Sequence, residues 1–386
     1  MQKFPYNFYM DSPFIYTRPL KGEEFFGRQQ EVNWLSANLQ KGLHSMIVEP
    51  PFSGKKSLIN QVFTQIQQTQ SPAKICHIPL FNLRSWPELL FALTKQTAGS
   101  FVNTLDEWKN LCARMLPLNN PSVYVNEGKM NDIRLDFLPI HSKEQTDELL
   151  AFPEQLCHLF EERLIIHISD FQNVARFEDG YRLLIKALDG WKRQSRTTYV
   201  ITASKVNAIR ELSGPKEILK KTFEHITLTP IEEKQFKDYI IKGFHKAGRV
   251  IAPDLAEALL RTTGGHPFYT QYFAHICFIN TKGYMNDSMF SDAYRDLLDI
   301  LHHRFCLLTD DLTVPQISFL KAVTDGIERF CTAQTLETYG LHSSANVTRV
   351  RTALEKKEIL IFIRNKPHFL DPIFKIWFVE RFIPSL

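Results

Sequence analysis

The sequence predicts an α/β protein: a parallel sheet with interleaved helices, then a helical subdomain, then a small unit of helices and a hairpin. Up to Pro230, short apolar runs alternate with segments of helical periodicity, as in parallel sheets. After Pro230 the β pattern stops, and the last group of helices is followed by two adjacent β-type runs. At 386 residues, the chain is also longer than one hydrophobic core usually supports.

The predicted sheet has five strands, and a helical segment follows the first strand directly. In "KKSLINQVFTQIQQ" the residues Leu58, Val62 and Ile66 recur at helical spacing. Residues 97–143 have no clear period, so we expect an irregular insertion there. The predicted strands are Leu43 to Glu49, Ala73 to Leu80, Arg163 to Asp170, Thr197 to Ser204 and His225 to Pro230.

The remaining chain divides into two further predicted units. Three amphipathic segments between Ile231 and Thr281 predict a helical subdomain. From about Thr313, two short helices, a Ser-capped third helix and a hairpin predict a winged helix-turn-helix. The predicted domains are an N-terminal segment at 1–24, the α/β domain at 25–230, the helical subdomain at 231–309 and the winged helix at 310–386.

Composition excludes several classes of protein. The net charge of +4 is too small to require nucleic acid as a partner. The six cysteines lie far apart without a C-x-x-C pair, so neither zinc nor a disulfide framework is indicated. The first residues, "MQKFPYNFYMDSPF", lack the pattern of a secretory leader, and no apolar run is long enough to span a membrane. We therefore expect a soluble, cytoplasmic protein without a membrane partner.

The stretch "EPPFSGKKSLI" nearly matches the phosphate-binding pattern G-x-x-x-x-G-K-[ST]. Gly54 and Lys55 fit the pattern, whereas Glu49 replaces the first Gly and Lys56 replaces the hydroxyl residue. The stretch lies between a predicted strand and a predicted helix, as such a loop requires.

Six stretches in order resemble the archaeal-type ATPases, in the STAND branch of the AAA+ P-loop NTPases. They are "SPFIYTRPLKGEEFFGRQQEVNWL", "EPPFSGKKSL" as Walker A, "LIIHISDFQNV" as Walker B, "VITAS" as sensor strand, "TGGHPFYTQ" in the helical lid, and "DPIFKIWF". The resemblance covers nearly the whole chain. It implies a P-loop NTPase core with a lid and a winged helix, and ATP or ADP as the ligand.

The resemblance also implies residues near the nucleotide outside the loop. They are Phe26, Gly27, Arg28, His266, Pro267, Thr202 and Ser204. Four of them have a structural alternative: Arg28 as a surface ion pair, His266 and Pro267 as an ordinary helix start, and Thr202 as a residue with strand propensity.

The loop retains the groups that bind phosphate. Backbone N–H groups from Phe52 to Ser57, among them those of Ser53 and Gly54, can surround the phosphates, and Lys55 can reach them. A Glu49 carboxylate at roughly 6 Å from a phosphate charge would cost about 3 kcal/mol at an effective dielectric constant near 20. Glu49 must therefore point away from the phosphates, or the site is weakened.

The residues at the positions that bind Mg²⁺ depart further from the pattern. Lys56 cannot ligate Mg²⁺, although its ammonium can itself stand beside the phosphates as a fixed cation. Ser57 is rotated by about 100° around the helix axis. In one alignment Ser169 replaces the metal-binding Asp and Asp170 replaces the catalytic Glu; in the other, Asp170 binds the metal and Phe171 replaces the base. Asp170 is thus the catalytic candidate, and Ser57 and Asp170 are the metal ligands if Mg²⁺ binds.

The predicted third helix of the last unit carries a basic face. Arg349 and Arg351, together with Arg364 and Lys366 in the wing, are the candidate contacts to DNA. A solvated face, or a surface that docks on a protein or on the P-loop domain, explains the same residues.

Three functional hypotheses follow. The first is an ATP- or ADP-binding regulatory switch with weakened hydrolysis, and the second is a competent ATPase with unusual Mg²⁺ ligands. The third is a DNA- or protein-binding module on a retired ATPase scaffold that binds no nucleotide.

Overall fold

The computed structural model describes residues 12–69, 72–125, 133–178 and 180–385. It divides into two compact units: a first of residues 1–28, 52–57 and 229–386, and a second of residues 29–51 and 58–228. Residues 1–11 of the predicted N-terminal segment and 126–132 of the predicted insertion lie outside the described residues. The boundaries between the four domains drawn from the sequence stay predictions.

The second unit is built on a five-stranded parallel sheet in the order β2-β5-β6-β1-β7. All residues of β5 and β6 are buried, which explains why these strands are continuous apolar runs in the sequence. An antiparallel pair, β3 and β4, stands beside the sheet. The strands are β1 Ser45–Val48, β2 Lys74–Pro79, β3 Ser122–Val125, β4 Ile133–Asp136, β5 Leu164–Ser169, β6 Thr197–Ala203 and β7 Glu224–His225.

The predicted sheet is confirmed, but its fifth strand is shorter than expected and begins earlier. Only Glu224 and His225 form β7, where the sequence predicted His225 to Pro230. Ile226 N still donates to Met46 O, whereas Leu228 N donates to the side chain of Glu49. Because the Glu49 carboxylate, and not a backbone carbonyl of β1, accepts the hydrogen bond from Leu228 N, β7 does not continue to Leu228.

Among the described residues, six helices begin in this unit, and α2 begins in the first unit with its residues from Leu58 onward in this one. Ser85, Thr104 and Ser142 cap the N-termini of α3, α4 and α5 with their hydroxyl oxygens. The helices are α1 Gln29–Gln40, α2 Lys55–Gln67, α3 Trp86–Ala98, α4 Leu105–Met115, α5 Lys143–Leu159, α6 Gly180–Trp191 and α7 Val206–Ser213. A 3-10 helix, Phe171–Arg176, directly follows β5.

The predicted irregular insertion is largely regular. Residues 97–143 contain α4, β3 and β4. A capping box between Thr104 and Glu107 starts α4, whose Trp108 and Leu111 are buried. The alternation in β3 and β4 packs Val123, Ile133 and Leu135 against the core. The prediction of irregular structure is therefore wrong for the described part of this segment.

The first unit contains the remaining helices and a hairpin. The three predicted helices of the subdomain are present, and a fourth of 23 residues follows them. The helices are α8 Glu233–Lys246, α9 Pro253–Thr263, α10 Pro267–Asn280, α11 Asp287–Thr309, α12 Val314–Thr324, α13 Ala333–Thr338, α14 Ser344–Lys356 and α15 Pro372–Trp377. The hairpin is β8 Leu360–Ile363 with β9 Lys366–Phe369, and a π-helix, Phe378–Phe382, follows α15.

Each unit has its own core. Side chains from α8 to α12, α14, β8 and α15 form one buried cluster in the first unit. Helices α12 to α14 and the hairpin are the elements that the sequence predicts for a winged helix. Their assignment as a winged helix stays a prediction. No helix within the described ranges has the length and apolar character needed to cross a membrane.

Candidate functional site

The loop between β1 and α2 has the backbone that its sequence suggests. Gly54 has φ of 94° and Phe52 has φ of 63°, both in the left-handed region. Lys55 is the first residue of α2 and is only 8% exposed. Its Nζ donates to Ser53 Oγ at 3.4 Å. The lysine is thus held at a helix N-terminus beside the loop that contains Ser53.

Arg28 fixes this loop within the first unit. Its side chain is 5% exposed; Nη2 donates to Ser53 O at 3.1 Å and Nη1 donates to Thr229 O at 2.9 Å. A Cβ placed on Gly54 would lie 3.5 Å from Arg28 Nε, which is ordinary van der Waals contact. Arg28 is therefore not a surface residue, because the guanidinium is buried and bonded to two backbone carbonyls. Its contact with a nucleotide stays a prediction.

The two residues after Lys55 differ in their surroundings. Lys56 is exposed to solvent. The hydroxyl oxygen of Ser57 accepts a hydrogen bond from Leu20 N at 3.0 Å. Ser57 therefore ties α2 to the N-terminal segment, which uses one of the oxygen's two lone pairs.

The carboxylate of Glu49 has a backbone donor in the second unit. Leu228 N donates to its Oε1 at 2.9 Å. This hydrogen bond holds the Glu49 carboxylate near the end of the sheet. The same hydrogen bond ends β7. The charge of Glu49 is thus partly compensated by a local backbone dipole.

Phe26 and Gly27 directly precede Arg28 in the chain. The ring of Phe26 stacks on Tyr239 with centroids 4.1 Å apart. Gly27 has φ of 76°, and a Cβ there would lie 2.5 Å from Ile231 Cγ2. Position 27 therefore requires glycine for both its conformation and its space.

The predicted lid residues form the start of α10. Gly264 and Gly265 both have positive φ, and His266 is the N-cap whose Nδ1 accepts from Tyr269 N at 3.5 Å. Pro267 occupies the first helical position. The helix start is confirmed, and the contact of His266 and Pro267 with a nucleotide stays a prediction.

Phe52 of the loop makes side-chain contacts that the sequence did not predict, one of them with Arg304, which lies in none of the six stretches. Phe52, 53% exposed, stacks on Phe268 of α10 with centroids 4.6 Å apart, and Arg304 Cζ lies 5.5 Å from the Phe52 ring centroid. Arg304 also donates to Tyr269 Oη at 3.1 Å and to Asp371 at 3.2 Å. These contacts connect the loop to α10 and α11.

Tyr269 and Asp371 extend this connection to the start of α15. The Tyr269 hydroxyl donates to Asp371 Oδ2 at 2.5 Å, while Asp371 Oδ1 accepts from Ile373 N and Phe374 N. Burial, reinforced by the Asp371 charge, raises the pKa of Tyr269 well above its usual value. The phenol therefore stays protonated and remains a donor at neutral pH.

In the second unit, Ser169 and Asp170 lie where the carboxyl end of β5 passes into the 3-10 helix. Ser169 Oγ donates to Asp170 Oδ2 at 3.4 Å and lies 3.0 Å from His77 Nε2. Since the hydroxyl has one proton, His77 is the donor in the second bond. Asp170 has φ of 58°, a left-handed conformation that Asp tolerates.

The predicted sensor residues lie on and after β6 in the same unit. Thr202 is 6% exposed, and its Oγ1 lies 2.9 Å from His167 Nε2. Ser204 N donates to Gln172 Oε1 at 3.2 Å. His167 and His77 are partners in the β2–β5 ladder, and their rings stack with centroids 4.7 Å apart. His77 lies outside the six stretches, and His167 lies in the Walker B stretch without a predicted role. The register of β2 and β5 brings the two histidines together.

The candidate DNA contacts lie on α14 and the hairpin, and two of them have intramolecular partners. Arg351 Cζ is 3.8 Å from the Phe362 ring centroid, and Lys366 Nζ is 2.6 Å from Glu328. Arg349 and Arg364 are exposed, and Arg364 has φ of 50° in the two-residue turn of the hairpin. DNA contact by these four residues stays a prediction.

Solved structures of known proteins have the same fold. The Walker-type ATPase of Pyrococcus abyssi matches with a TM-score of 0.66 at 13% identity, over 95% of this chain and 99% of that chain. The ORC2 protein of Aeropyrum pernix in its ADPNP-ADP complexes matches with a TM-score of 0.56 at 12% identity, over 97% and 98%. Its ADP form gives a TM-score of 0.53 at 11% identity, over 94% and 95%.

Searches with protein-family models and against curated proteins give no match. At the identities found, the structural likeness establishes the fold alone. The second unit contains the parallel sheet of this fold, with strand order β2-β5-β6-β1-β7, and the first unit contains the helical C-terminal region. The chain has the AAA+-like fold of the P-loop ATPases.

Proposed function

We propose that this chain binds ATP or ADP at the loop 52–57 and works as a regulatory switch with weak or absent hydrolysis. The observation that carries the proposal is the loop itself. Lys55 is buried at the first position of α2, directly after Gly54 at a φ of 94°, and Arg28 holds the carbonyl of Ser53.

This arrangement suits a phosphate. The N-terminus of α2 presents backbone N–H groups and the positive end of the helix dipole, and Lys55 supplies a full charge beside them. The ORC2 structures of Aeropyrum pernix contain ADPNP and ADP, which supports an adenine nucleotide as the ligand here.

The donor set does not suit Mg²⁺. The ammonium of Lys56 stands at the position of a hydroxyl ligand, and a cation there repels a metal ion. The hydroxyl of Ser57 is bonded to Leu20 N, and Ser169 is bonded to His77 and Asp170. In the Walker B stretch, Asp170 is then the one carboxylate that could bind a metal ion. Because charge stabilisation by Mg²⁺ contributes much of the rate in phosphoryl transfer, we propose that hydrolysis is weak.

The role as a switch rests on contacts within the first unit. Phe52 belongs to the phosphate loop and stacks on Phe268 of α10, while Arg304 of α11 lies over the same ring. A phosphate that moves Phe52 must break or rebuild these contacts. Occupancy of the loop is thus coupled to α10, α11 and, through Asp371, to α15.

Titration calorimetry of ATP and ADP against wild type, Lys55→Ala and Lys282→Ala tests the proposal. Lys282 is an exposed lysine of the same unit and serves as a charge-matched control. We expect Lys55→Ala to lower affinity at least tenfold, the control to leave it unchanged, and chelation of Mg²⁺ to change wild-type affinity little. Equal affinity of Lys55→Ala and wild type, or no wild-type binding at millimolar nucleotide, contradicts the proposal.

A phosphate-release assay separates the switch from a competent ATPase. Rapid Mg²⁺-dependent release favours the ATPase hypothesis. Absence of any nucleotide binding favours the nucleotide-free module, for which the basic face of α14 is the candidate interface.

A further inference from the structure

The long helix α11 carries exposed apolar side chains in addition to those that it buries in the core of the first unit. Ile300 is 54% exposed and Leu307 is 59% exposed, and Leu308 beside it is also exposed. Residues three or four apart are neighbours on a helix, so Arg304 lies between Ile300 and the two leucines on the same side. We call these four residues the α11 face.

Helix α14 of the same unit shows that such an exposed side is not a general feature of these helices. The exposed side of α14 consists of polar and small residues, among them Ala345, Thr348, Arg349 and Thr352. Water solvates such residues well, whereas it solvates large aliphatic side chains poorly. Large apolar residues that recur on one exposed side of a helix are therefore a feature of protein interaction surfaces.

The α11 face continues onto the loop 52–57. Arg304 Cζ lies 5.5 Å from the centroid of the Phe52 ring, which is itself exposed. Arg304 also donates to Tyr269 and to Asp371, so its charge is compensated within the unit. An aromatic ring and an arginine among aliphatic side chains are the composition typical of the centre of a protein interface.

Two carboxylates stand at the C-terminal end of the α11 face. Asp310 is the residue directly after α11, Asp311 follows it, and both are exposed. Neither forms an ion pair with a residue in the described part of the chain. The C-terminal end of α11 adds the negative end of the helix dipole at the same place. Positively charged side chains are the complement of this end of the surface.

We propose that the α11 face is a docking surface for a basic amphipathic helix of a partner protein. The apolar side of that helix packs on Ile300, Leu307 and Leu308, and its Lys or Arg side chains lie beside the two carboxylates. A helix is the element that matches α11, since two helices bury their apolar stripes by packing along each other. The proposal is independent of nucleotide binding at the loop 52–57.

Fluorescence anisotropy with the full chain tests the proposal, and the probe is a labelled synthetic peptide of Leu and Lys whose leucines share one side of a helix. One control peptide has the same composition in an order that distributes the leucines around the helix, and another has Glu in place of each Lys. We expect saturable binding of one Leu/Lys peptide per chain, with the rearranged peptide at least tenfold weaker and no binding of the Leu/Glu peptide. The net charge of the chain is +4, so general electrostatic attraction does not favour the basic peptide.

Apolar variants locate the binding on the α11 face. Ile300→Ser with Leu307→Ser should weaken binding of the Leu/Lys peptide at least tenfold, because both positions lose their apolar contact. Ile279→Ser with Ile363→Ser is the matched control, since these isoleucines are about equally exposed in the same unit. The control should bind the peptide like wild type.

Charge variants test the complementarity. Asp310→Asn with Asp311→Asn should lower the affinity at least fivefold at low salt and make it less dependent on salt, because the two carboxylates supply the attraction. Asp238→Asn with Asp254→Asn removes the same charge from exposed positions of the unit and should change neither quantity.

Two results overturn the proposal. The first is no saturable binding of the Leu/Lys peptide by wild type, or equal binding by a variant of the α11 face and its matched control. The second is self-association of wild type in sedimentation velocity that Ile300→Ser with Leu307→Ser abolishes, which would assign the α11 face to a second copy of this chain.

Discussion

The loop after β1 and the carboxyl end of β5 depart from the ATPase pattern to different degrees. In the loop, Gly54 and Lys55 keep their positions although Glu49 and Lys56 do not fit the pattern. At the end of β5, Ser169 is hydrogen-bonded to His77. The comparison teaches that phosphate binding depends mostly on backbone geometry and one lysine, whereas metal binding depends on the identity of each ligand side chain. This difference is the basis of our proposal that the chain binds a nucleotide with weak or absent hydrolysis.

The largest expected effect concerns the backbone that supports the loop. Gly27→Ala places a Cβ 2.5 Å from Ile231 at a positive φ, so we expect a loss of about 3 kcal/mol in the free energy of unfolding. Gly22→Ala is the matched control, because Gly22 has φ of 58° but no atom within 4 Å of the added Cβ. It should cost about 1 kcal/mol. Urea denaturation of both variants measures the difference, and equal losses would show that the contact with Ile231 relaxes without cost.

The second prediction concerns the positions that would bind Mg²⁺ in the ATPase pattern. Lys56→Thr with Ser169→Asp restores both ligand types, so nucleotide binding should become Mg²⁺-dependent. Adding Asp170→Glu should raise the rate of phosphate release tenfold or more, as one positioned acid-base group does. Lys56→Thr alone is the control and should change the rate little. If wild type already hydrolyses about one ATP per second, as ordinary phosphoryl-transfer enzymes do, then Ser57 or Asp170 must hold the metal.

The sequence predicted the sheet well because buried parallel strands are continuous apolar runs. Four of the five strands lie within the expected ranges, and the fifth is shortened by Glu49, a side-chain contact that no local pattern encodes. Helix α11 was not predicted although Asn286 caps it and Leu297, Leu301 and Phe305 recur on one buried face. The signal was present, and a search for N-caps before apolar periodicity would have found it.

The sequence could propose site residues where they follow one another in a motif, but not where the fold brings distant residues together. Gly54 and Lys55 were proposed from their spacing, and their contact with a nucleotide stays a prediction. Arg304 and Phe52 lie 252 positions apart in sequence, and only the packing of α11 in the first unit brings them together. His77 and His167 meet through strand register, which depends on the complete sheet.

The smallest expected effect is the pH dependence of stability that His44 contributes. His44 precedes β1 and is 8% exposed; its Nδ1 accepts from Tyr199 N at 3.2 Å and its Nε2 donates to Trp191 O at 3.0 Å. Burial lowers the pKa of His44, opposed by the bond to Trp191 O and by Glu154. The stabilisation by neutral His44 is therefore complete above the ordinary pKa of about 6.5 and is lost as pH falls through the lower folded value.

The pH dependence of stability can be measured before any acid effect on nucleotide binding is interpreted. Urea denaturation at pH 7.5 and 5.5 should show a larger loss of stability in wild type than in His44→Gln, which cannot gain the proton. His225 and His275, whose pKa values burial also lowers, account for the loss that remains in the variant. An equal acid loss in both proteins would mean that protonation of His44 is accommodated without breaking the bond from Tyr199. Weaker nucleotide binding at a pH where the fold is still stable would then be a property of the site itself.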